Sequence, residues 1–436
     1  MDSLALAARQ TIDAVTEQLW LGYQHPLFWF TALFVFRYLR LVVHLIAFWL
    51  YRPSPVPANP KIKPSDCTVI LPTVDPENVD FRECIETCLR NRPAQSLVVT
   101  VGADNAKLCE EYFEPYRTLH PYTEITVLLS PIAHKRAQVA TAIPHVKTKI
   151  TVLLDDHVFW PKTFLRNAVA PFENPEIGAV GTNKRVRRTD IGFNIRSYWN
   201  MLGAIYLERH NFEIRSTNAV DGGFTDERFF FSLCSPLGPD DDNFITRFEV
   251  TRGWKIKIQY SPASRIETTL GTYPKFMQQC LRWVLWRAQP WCVYAVYITS
   301  FFNFALFNDA LLAYLLWTSP YGSQQALLIL LGWVFATKLV KLTPYFLRHP
   351  EDLRMLSGYF AFAYFHSFIK MYALLTFWNC HWGGRNLAAI NAGIGLEEIE
   401  QPKLALKPQV KSPLKGGEGA AESEDGQRRS GLRKRI

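Results

Sequence analysis

A mostly parallel α/β domain joined to apolar helices is the architecture that this 436-residue sequence predicts. Three observations carry it. Short β-branched runs recur roughly every 25–30 residues between positions 67 and 155, with helix-compatible stretches between them, which is the alternation of a parallel sheet. Most of those runs end at or just before acidic residues. Long apolar stretches flank a middle of ordinary soluble composition, so a helical transmembrane region is expected beside the α/β domain.

Taken in order, residues 27–50 (LFWFTALFVFRYLRLVVHLIAFWL) are long enough to cross a bilayer core about 30 Å thick. Arg37 and Arg40 lie three apart on one helical face, and each costs on the order of 2.5–3.5 kcal/mol at a helix centre. That face is expected to meet protein, water or headgroups rather than acyl chains. Residues 1–51 therefore read as an N-terminal helix and span. They lack the basic start and small-residue cleavage site of a secretory signal. Residues 52–66 carry five prolines and read as a linker.

A domain is expected over 67–275. Strands fall at 67–74 (CTVILPTV), 96–102 (SLVVTVG), 124–130 (EITVLLS) and 149–155 (KITVLLD), with helices at 78–91, 106–118 and 134–144. Ligands of such sheets bind beyond the carboxyl ends of the strands. Asp75 with Glu77, Asp104, and Asp155 with Asp156 fall there. Residues 276–290 read as an interfacial helix, 291–378 as membrane helices (candidates 291–317, 325–347 and 356–378), 379–399 as a separate short segment, and 400–436 as a disordered basic tail.

Hydrophobic residues make up 48% and charged residues 20% of the chain, against a usual charged share of roughly 25%, which excludes a disordered protein. The net charge of +9 suggests nucleic acid, but residues 403–436 alone hold nine basic and four acidic residues, +5 of that excess. The rest lies mostly beside apolar runs, where the positive-inside rule places it, so no nucleic-acid partner is expected. The eight cysteines show neither zinc spacing nor a disulfide framework and read as buried thiols.

Three constellations carry chemistry. In Leu154-Asp155-Asp156-His157, a carboxylate and an imidazole two residues apart past a strand end reach one divalent cation, which can bridge the phosphates of a nucleotide-sugar. The alternative is a polar turn in which an Asp caps a helix beginning near Pro161. In Gly238-Pro239-Asp240-Asp241-Asp242-Asn243, mutual repulsion raises at least one carboxyl pKa, as a general base requires; a solvated acidic turn is the alternative. In Gln279-Cys280-Leu281-Arg282-Trp283, Gln279, Arg282 and Trp283 share a helical face where a guanidinium can hold pyrophosphate and an indole the CH face of a sugar. The alternative is an interfacial anchor.

In this order the motifs resemble the processive, membrane-embedded family 2 glycosyltransferases, the hyaluronan, chitin and cellulose synthases, and most of all the hyaluronan-synthase-like enzymes of filamentous fungi. The resemblance covers roughly residues 30–390 and implies a GT-A-like domain. It implies that Asp104 contacts the uridine, Thr73 and Asp75 lie beside the nucleobase, and Lys135 lies near the donor phosphates with Asp155 and Asp156. Asp155 and His157 take the D-x-D positions for Mg²⁺ or Mn²⁺, with His157 replacing the usual second Asp. Asp242 is the implied base, preceded by Asp241. Gln279, Arg282 and Trp283 match Q-x-x-R-W at the channel mouth, and Trp382 and Arg385 a gating segment in which Gly384 replaces Thr.

The same resemblance implies a multi-pass hexosyltransferase of the cell membrane with a cytosolic catalytic domain. It would move a sugar, with inversion, from a UDP-sugar donor onto a β-linked polysaccharide acceptor of a cell wall or extracellular glycan, and translocate the product across the lipid bilayer. Two alternatives stand: a non-processive transferase with a lipid acceptor, and a transporter or inactive scaffold. Three full crossings after Trp283 would carry the +5 tail outside, against the positive-inside rule. The segment 356–378, with His366 and Lys370 in its middle, is therefore expected to be re-entrant or interfacial.

Overall fold

The computed structural model describes residues 25–190, 192–222, 253–269 and 305–375. The described residues form two compact units, one of residues 63–156 and one of residues before 63 and after 156.

The chain enters through α1 (Pro26–Leu50), with Pro26 at the first helical position, where its missing N–H costs nothing. His25 caps the helix, its Nδ1 accepting the Leu27 N–H at 3.2 Å. Val35, Leu39, Val42, Ile46 and Trp49 form an exposed apolar stripe, while Tyr38, His44 and Ala47 are buried. Among the described residues this helix is long and apolar enough to cross a membrane, as the sequence predicts for 27–50.

Unit 63–156 is the predicted alternation. After a 3₁₀ turn at Pro64–Asp66 come β1 (Cys67–Pro72), α2 (Val79–Leu89), β2 (Gln95–Val101), α3 (Ala103–Leu119), β3 (Glu124–Ser130), α4 (Lys135–Ala142) and β4 (Ile150–Leu153). The strands form one parallel sheet in the order β3-β2-β1-β4. In register, Ile70 pairs with Leu97 on one side and Leu153 on the other. Every residue of β1 and β2 is buried, which explains why these strands read as continuous rather than alternating apolar runs. Ile70, Leu97 and Val99 pack against Ala142 and Val146, covering one face of the sheet. α3 starts at Ala103, earlier than the predicted 106, because Gly102 takes φ +86° and turns the chain straight out of β2. Cys67, Cys84, Cys88 and Cys109 are buried free thiols, and burial pushes the Cys67 and Cys109 thiols up to about 12. The other four cysteines lie outside the described residues.

The second unit contains α1, β5 (Val158–Phe159), α5 (Phe164–Ala168), β6 (Ile177–Thr182), β7 (Lys184–Val186), α6 (Ile195–Asp221), β8 (Lys255–Gln259), β9 (Ile266–Thr268), α7 (Ala305–Trp317), α8 (Gln324–Val340), α9 (Thr343–Arg348) and α10 (Leu356–Leu375). Its strands pair as β5-β9-β7, with β5 antiparallel to β9, and as a parallel β6-β8 ribbon. The unit boundary falls inside the stretch expected as one domain, because β5 pairs with β9 about a hundred residues later rather than extending the first sheet.

α6, which sequence periodicity did not suggest, runs 27 residues from an Asn194 cap to Gly222 at φ +70°. Met201, Leu202 and Ile205 on it pack with Tyr345, Phe346 and Tyr359. The predicted helix 325–347 is interrupted: α8 ends at Val340 and Pro344 opens the short α9, since proline removes the N–H a continuing helix needs. α10 is one unbroken 20-residue helix, so its described part contains no re-entrant break.

Several charged side chains in this unit are paired between elements. Arg188 and Asp352, 5% and 1% exposed, meet at 2.7 Å, and the Tyr345 hydroxyl donates to the same carboxylate. Lys341 meets Glu213 at 2.9 Å. Asp309 on α7 holds Arg37 of α1 at 2.5 Å and Lys338 of α8 at 3.0 Å, and accepts from the Tyr364 hydroxyl of α10 at 2.9 Å. The face of α1 bearing Arg37 thus meets protein charge, as its cost in acyl chains requires.

Candidate active site

The carboxyl edge of the β3-β2-β1-β4 sheet gathers most of the predicted donor-binding residues. Each strand stops where its backbone hydrogen bonds run out. The Leu154 N–H donates to the Ile70 carbonyl (3.0 Å) and the Thr73 N–H to the Val99 carbonyl (2.9 Å), and beyond these points the chains diverge. Thr73 and Asp75 follow β1, Asp104 lies in the first turn of α3 after β2, Lys135 opens α4 after β3, and Asp155 and Asp156 follow β4.

Two contacts tie this edge together. Lys135 Nζ lies 2.7 Å from Asp155 Oδ1, with the lysine side chain 22% and the aspartate 44% exposed. The Thr73 hydroxyl donates to Asp156 Oδ2 at 3.1 Å, and Thr73 Oγ1 accepts the Asp75 N–H at 3.3 Å. Adjacent aspartates thus have different duties: Asp155 faces a cation and solvent, while Asp156 is buried and fixes the loop after β1. Neither caps a helix at Pro161; α5 begins at Phe164, with Thr163 before it. Asp75 and Asp104 are both exposed at the same edge.

Two further residues shape the edge that sequence reasoning passed over. Gln138, buried on α4, donates through Nε2 to the carbonyls of Thr73 and Val99, both at 2.9 Å. It lies one turn after Lys135, so one rigid helix holds both the cation and the β1 loop. Asn105 donates to the carbonyls of Val74 (3.3 Å) and Val101 (3.0 Å). A buried amide one turn from a strand-end lysine is the only signal that could have marked Gln138.

Asp155 offers a carboxylate oxygen of the hard kind that Mg²⁺ and Mn²⁺ prefer, and such ions commonly take one or two carboxylates plus substrate phosphates. His157, the other expected ligand, opens the second unit. Among the described residues one His/acid group brings its ligand atoms within 4.8 Å of one another: His349, Glu351 and Asp352. Asp352 there is committed to Arg188 and Tyr345, so this cluster is a structural ion pair. Asp241, Asp242, Gln279, Arg282, Trp283, Trp382 and Arg385 lie outside the described residues.

Residues 64–285 match the model of the family described as Glycosyltransferase like family 2. The chain is 35% identical over 450 aligned positions to a "Type 2 glycosyltransferase" of Gibberella zeae, covering 93% of this chain and 84% of that protein. An "NDP-glycosyltransferase ltbB" of Aspergillus luteorubrus is 28% identical over 53% of this chain and 62% of its own length. Among solved structures, a mannosyltransferase from Pyrobaculum calidifontis, in complex with GDP-Man and Mn²⁺, superposes with a TM-score of 0.44 at 17% identity, over 78% of this chain and 98% of its own. The family match spans about half of the chain and the fungal relative nearly all of it: the protein belongs to the family 2 glycosyltransferases.

Proposed function

We propose that this glycosyltransferase moves a hexose, with inversion, from a UDP-sugar onto the hydroxyl end of a growing β-linked polysaccharide at a membrane, and passes the product through its apolar helices. The observation that carries the reading is the edge of unit 63–156. There a lysine–aspartate pair at 2.7 Å stands beside a loop locked by Thr73, Asp156 and Gln138. Such an edge suits a nucleoside diphosphate: a rigid loop for the base and a cation for the phosphates. The name of the Aspergillus luteorubrus relative supports a nucleoside-diphosphate donor.

In this reading Thr73, Asp75 and Asp104 hold the uridine. Lys135 leaves Asp155 for the diphosphate when donor binds, stabilising charge on the departing UDP. A divalent cation, held by Asp155 with His157 as the second candidate ligand, supplies further charge neutralisation when bound. Asp242, preceded by Asp241, takes the proton of the acceptor hydroxyl. Gln279, Arg282 and Trp283 hold the acceptor end and Trp382 with Arg385 gate it. These assignments rest on the sequence resemblance. α1 supplies the membrane anchor, the shorter apolar helices α7 and α8 supply further crossings, and α10 lies at the interface, so that the catalytic domain faces the cytosol.

The test is UDP release and product size from the full-length protein in lipid nanodiscs, offered a panel of UDP-sugars. One donor should give UDP release and a ladder of long products. A single sugar on a lipid would replace the polymer reading, and release of UDP from none of the donors would end the UDP-sugar assignment.

A further inference from the structure

The second unit holds a concentration of arginines that the transfer reaction does not use. Arg185 on β7, Arg265 just before β9 and Arg348 at the end of α9 come close together, and Arg185 and Arg348 share one carboxylate of α6, Glu208. Arg348 pairs directly with Glu208, and Arg185 Nε lies 4.0 Å from the same oxygen. β7 and β9 pair in parallel, with Lys184 opposite Ile266, which brings Arg265 to the start of β7. The nearest other acid, Glu267, is hydrogen-bonded to Arg187 at 2.9 Å. Three guanidinium groups against one carboxylate leave two positive charges unmatched.

Such crowding is unfavourable without an anion. Burial, and then the nearby Arg265 and Arg348, hold the Arg185 guanidinium below its usual range against the opposing pull of Glu208 and Glu267. Arg185 Nε is buried and has no hydrogen-bond partner in the structure. The side chains of Arg185 and Arg348 remain 28% and 32% exposed, so a ligand reaches them from solvent. Planar forks of this kind bind phosphate oxygens in pairs.

We propose that Arg185, Arg265 and Arg348 form a phosphate-binding site, distinct from the donor edge, that takes a phosphoryl group from a lipid headgroup or from a free phosphate. Glu208 is its internal competitor: it orients Arg185 and Arg348 and sets the affinity by the charge it cancels. Four elements of the unit (β7, the start of β9, α6 and α9) meet at this group. A bound phosphate therefore bridges them.

The experiment uses the full chain and measures melting temperature, each variant against its own ligand-free value. In detergent, inorganic phosphate is titrated at constant ionic strength. In nanodiscs, phosphatidylcholine alone is compared with phosphatidylcholine containing phosphatidic acid. Wild type is expected to gain stability in at least one arm, and the responding arm identifies the source. Arg185→Gln and Arg348→Gln should each weaken phosphate binding about tenfold, the loss of one charge-assisted contact. Glu208→Gln should bind phosphate more tightly than wild type, an effect opposite in sign to damage of the fold. A melting temperature unmoved in both arms, or a response equal in wild type and all three variants, overturns the site.

Discussion

The two units use charge in opposite ways. In unit 63–156 Asp75, Asp104, Asp155 and Lys135 stand at the carboxyl edge of the sheet, and the Lys135–Asp155 pair is loosely enclosed at 22% and 44% exposure. In the second unit two pairs are sealed between distant elements: Arg188–Asp352 at 5% and 1% exposure, and Lys341–Glu213 at 9% and 14%. An exposed pair is worth little to stability and exchanges readily for a ligand. A buried pair is costly to assemble and more costly to halve. The first arrangement suits binding; the second fixes which helices meet.

The largest effect that sharpens this contrast lies in the proposed chemistry. Asp242→Asn is expected to lower turnover by about 10²–10⁴ while leaving UDP affinity nearly intact, as loss of a general base does. Steady-state rates with calorimetric UDP binding check it, and near wild-type turnover would remove Asp242 from the base position. Next, Arg188→Met alone should destabilise the fold by about 3–5 kcal/mol, because Asp352 is left charged and buried. The double variant Arg188→Met/Asp352→Leu should recover most of that loss in denaturant titrations. Equal losses would mean that packing, not charge, holds this contact.

At the donor edge the expected effects are smaller and kinetic. Lys135→Met should raise the KM for donor about tenfold with little change in melting temperature, since it breaks one partly exposed pair. If Asp155 and His157 share a cation, EDTA should stop turnover and His157→Asp should shift preference from Mn²⁺ toward Mg²⁺. Full activity in EDTA would leave that strand end a structural turn.

The smallest effect is a pH dependence. Burial alone would raise the Glu213 carboxyl, but Lys341, Arg209 and Arg40 outweigh it and hold it well below its usual range. A carboxyl depressed in the folded state contributes stability above its unfolded pKa and loses it as pH falls. The melting temperature should therefore drop as pH falls below about 4.5, and Glu213→Gln should flatten that drop.

Much of unit 63–156 was legible in the sequence, because its information is local. Four β-branched runs, each followed by a polar break, mark strands to within two residues, and Asp104 and Lys135 fall on the helix starts that such breaks imply. Gly102 moved one start by three residues through its backbone alone. The rest was illegible for the converse reason. Gln138 acts on the carbonyl of Thr73, just past β1, and on that of Val99 in β2, whose approach no periodicity encodes. Arg188 and Asp352 are far apart in the chain, and α6 mixes polar and apolar residues because it packs on different partners along its length. Local pattern finds elements; it does not find what they meet.

The Asp309 cluster sets an order of events during synthesis. Arg37 belongs to α1, yet its counter-charge sits on α7, a helix that begins at Ala305 and is made long afterwards. At roughly 5–20 residues per second, the intervening chain takes on the order of ten seconds to a minute to make. Through that interval the arginine lacks this partner, and if α1 crosses a bilayer as proposed, that costs about 2.5–3.5 kcal/mol at the bilayer centre. In that reading nascent α1 waits at the insertion machinery or the membrane surface. It settles only when α7 arrives, so a chain truncated before Ala305 should be a target for quality control rather than a stable membrane protein.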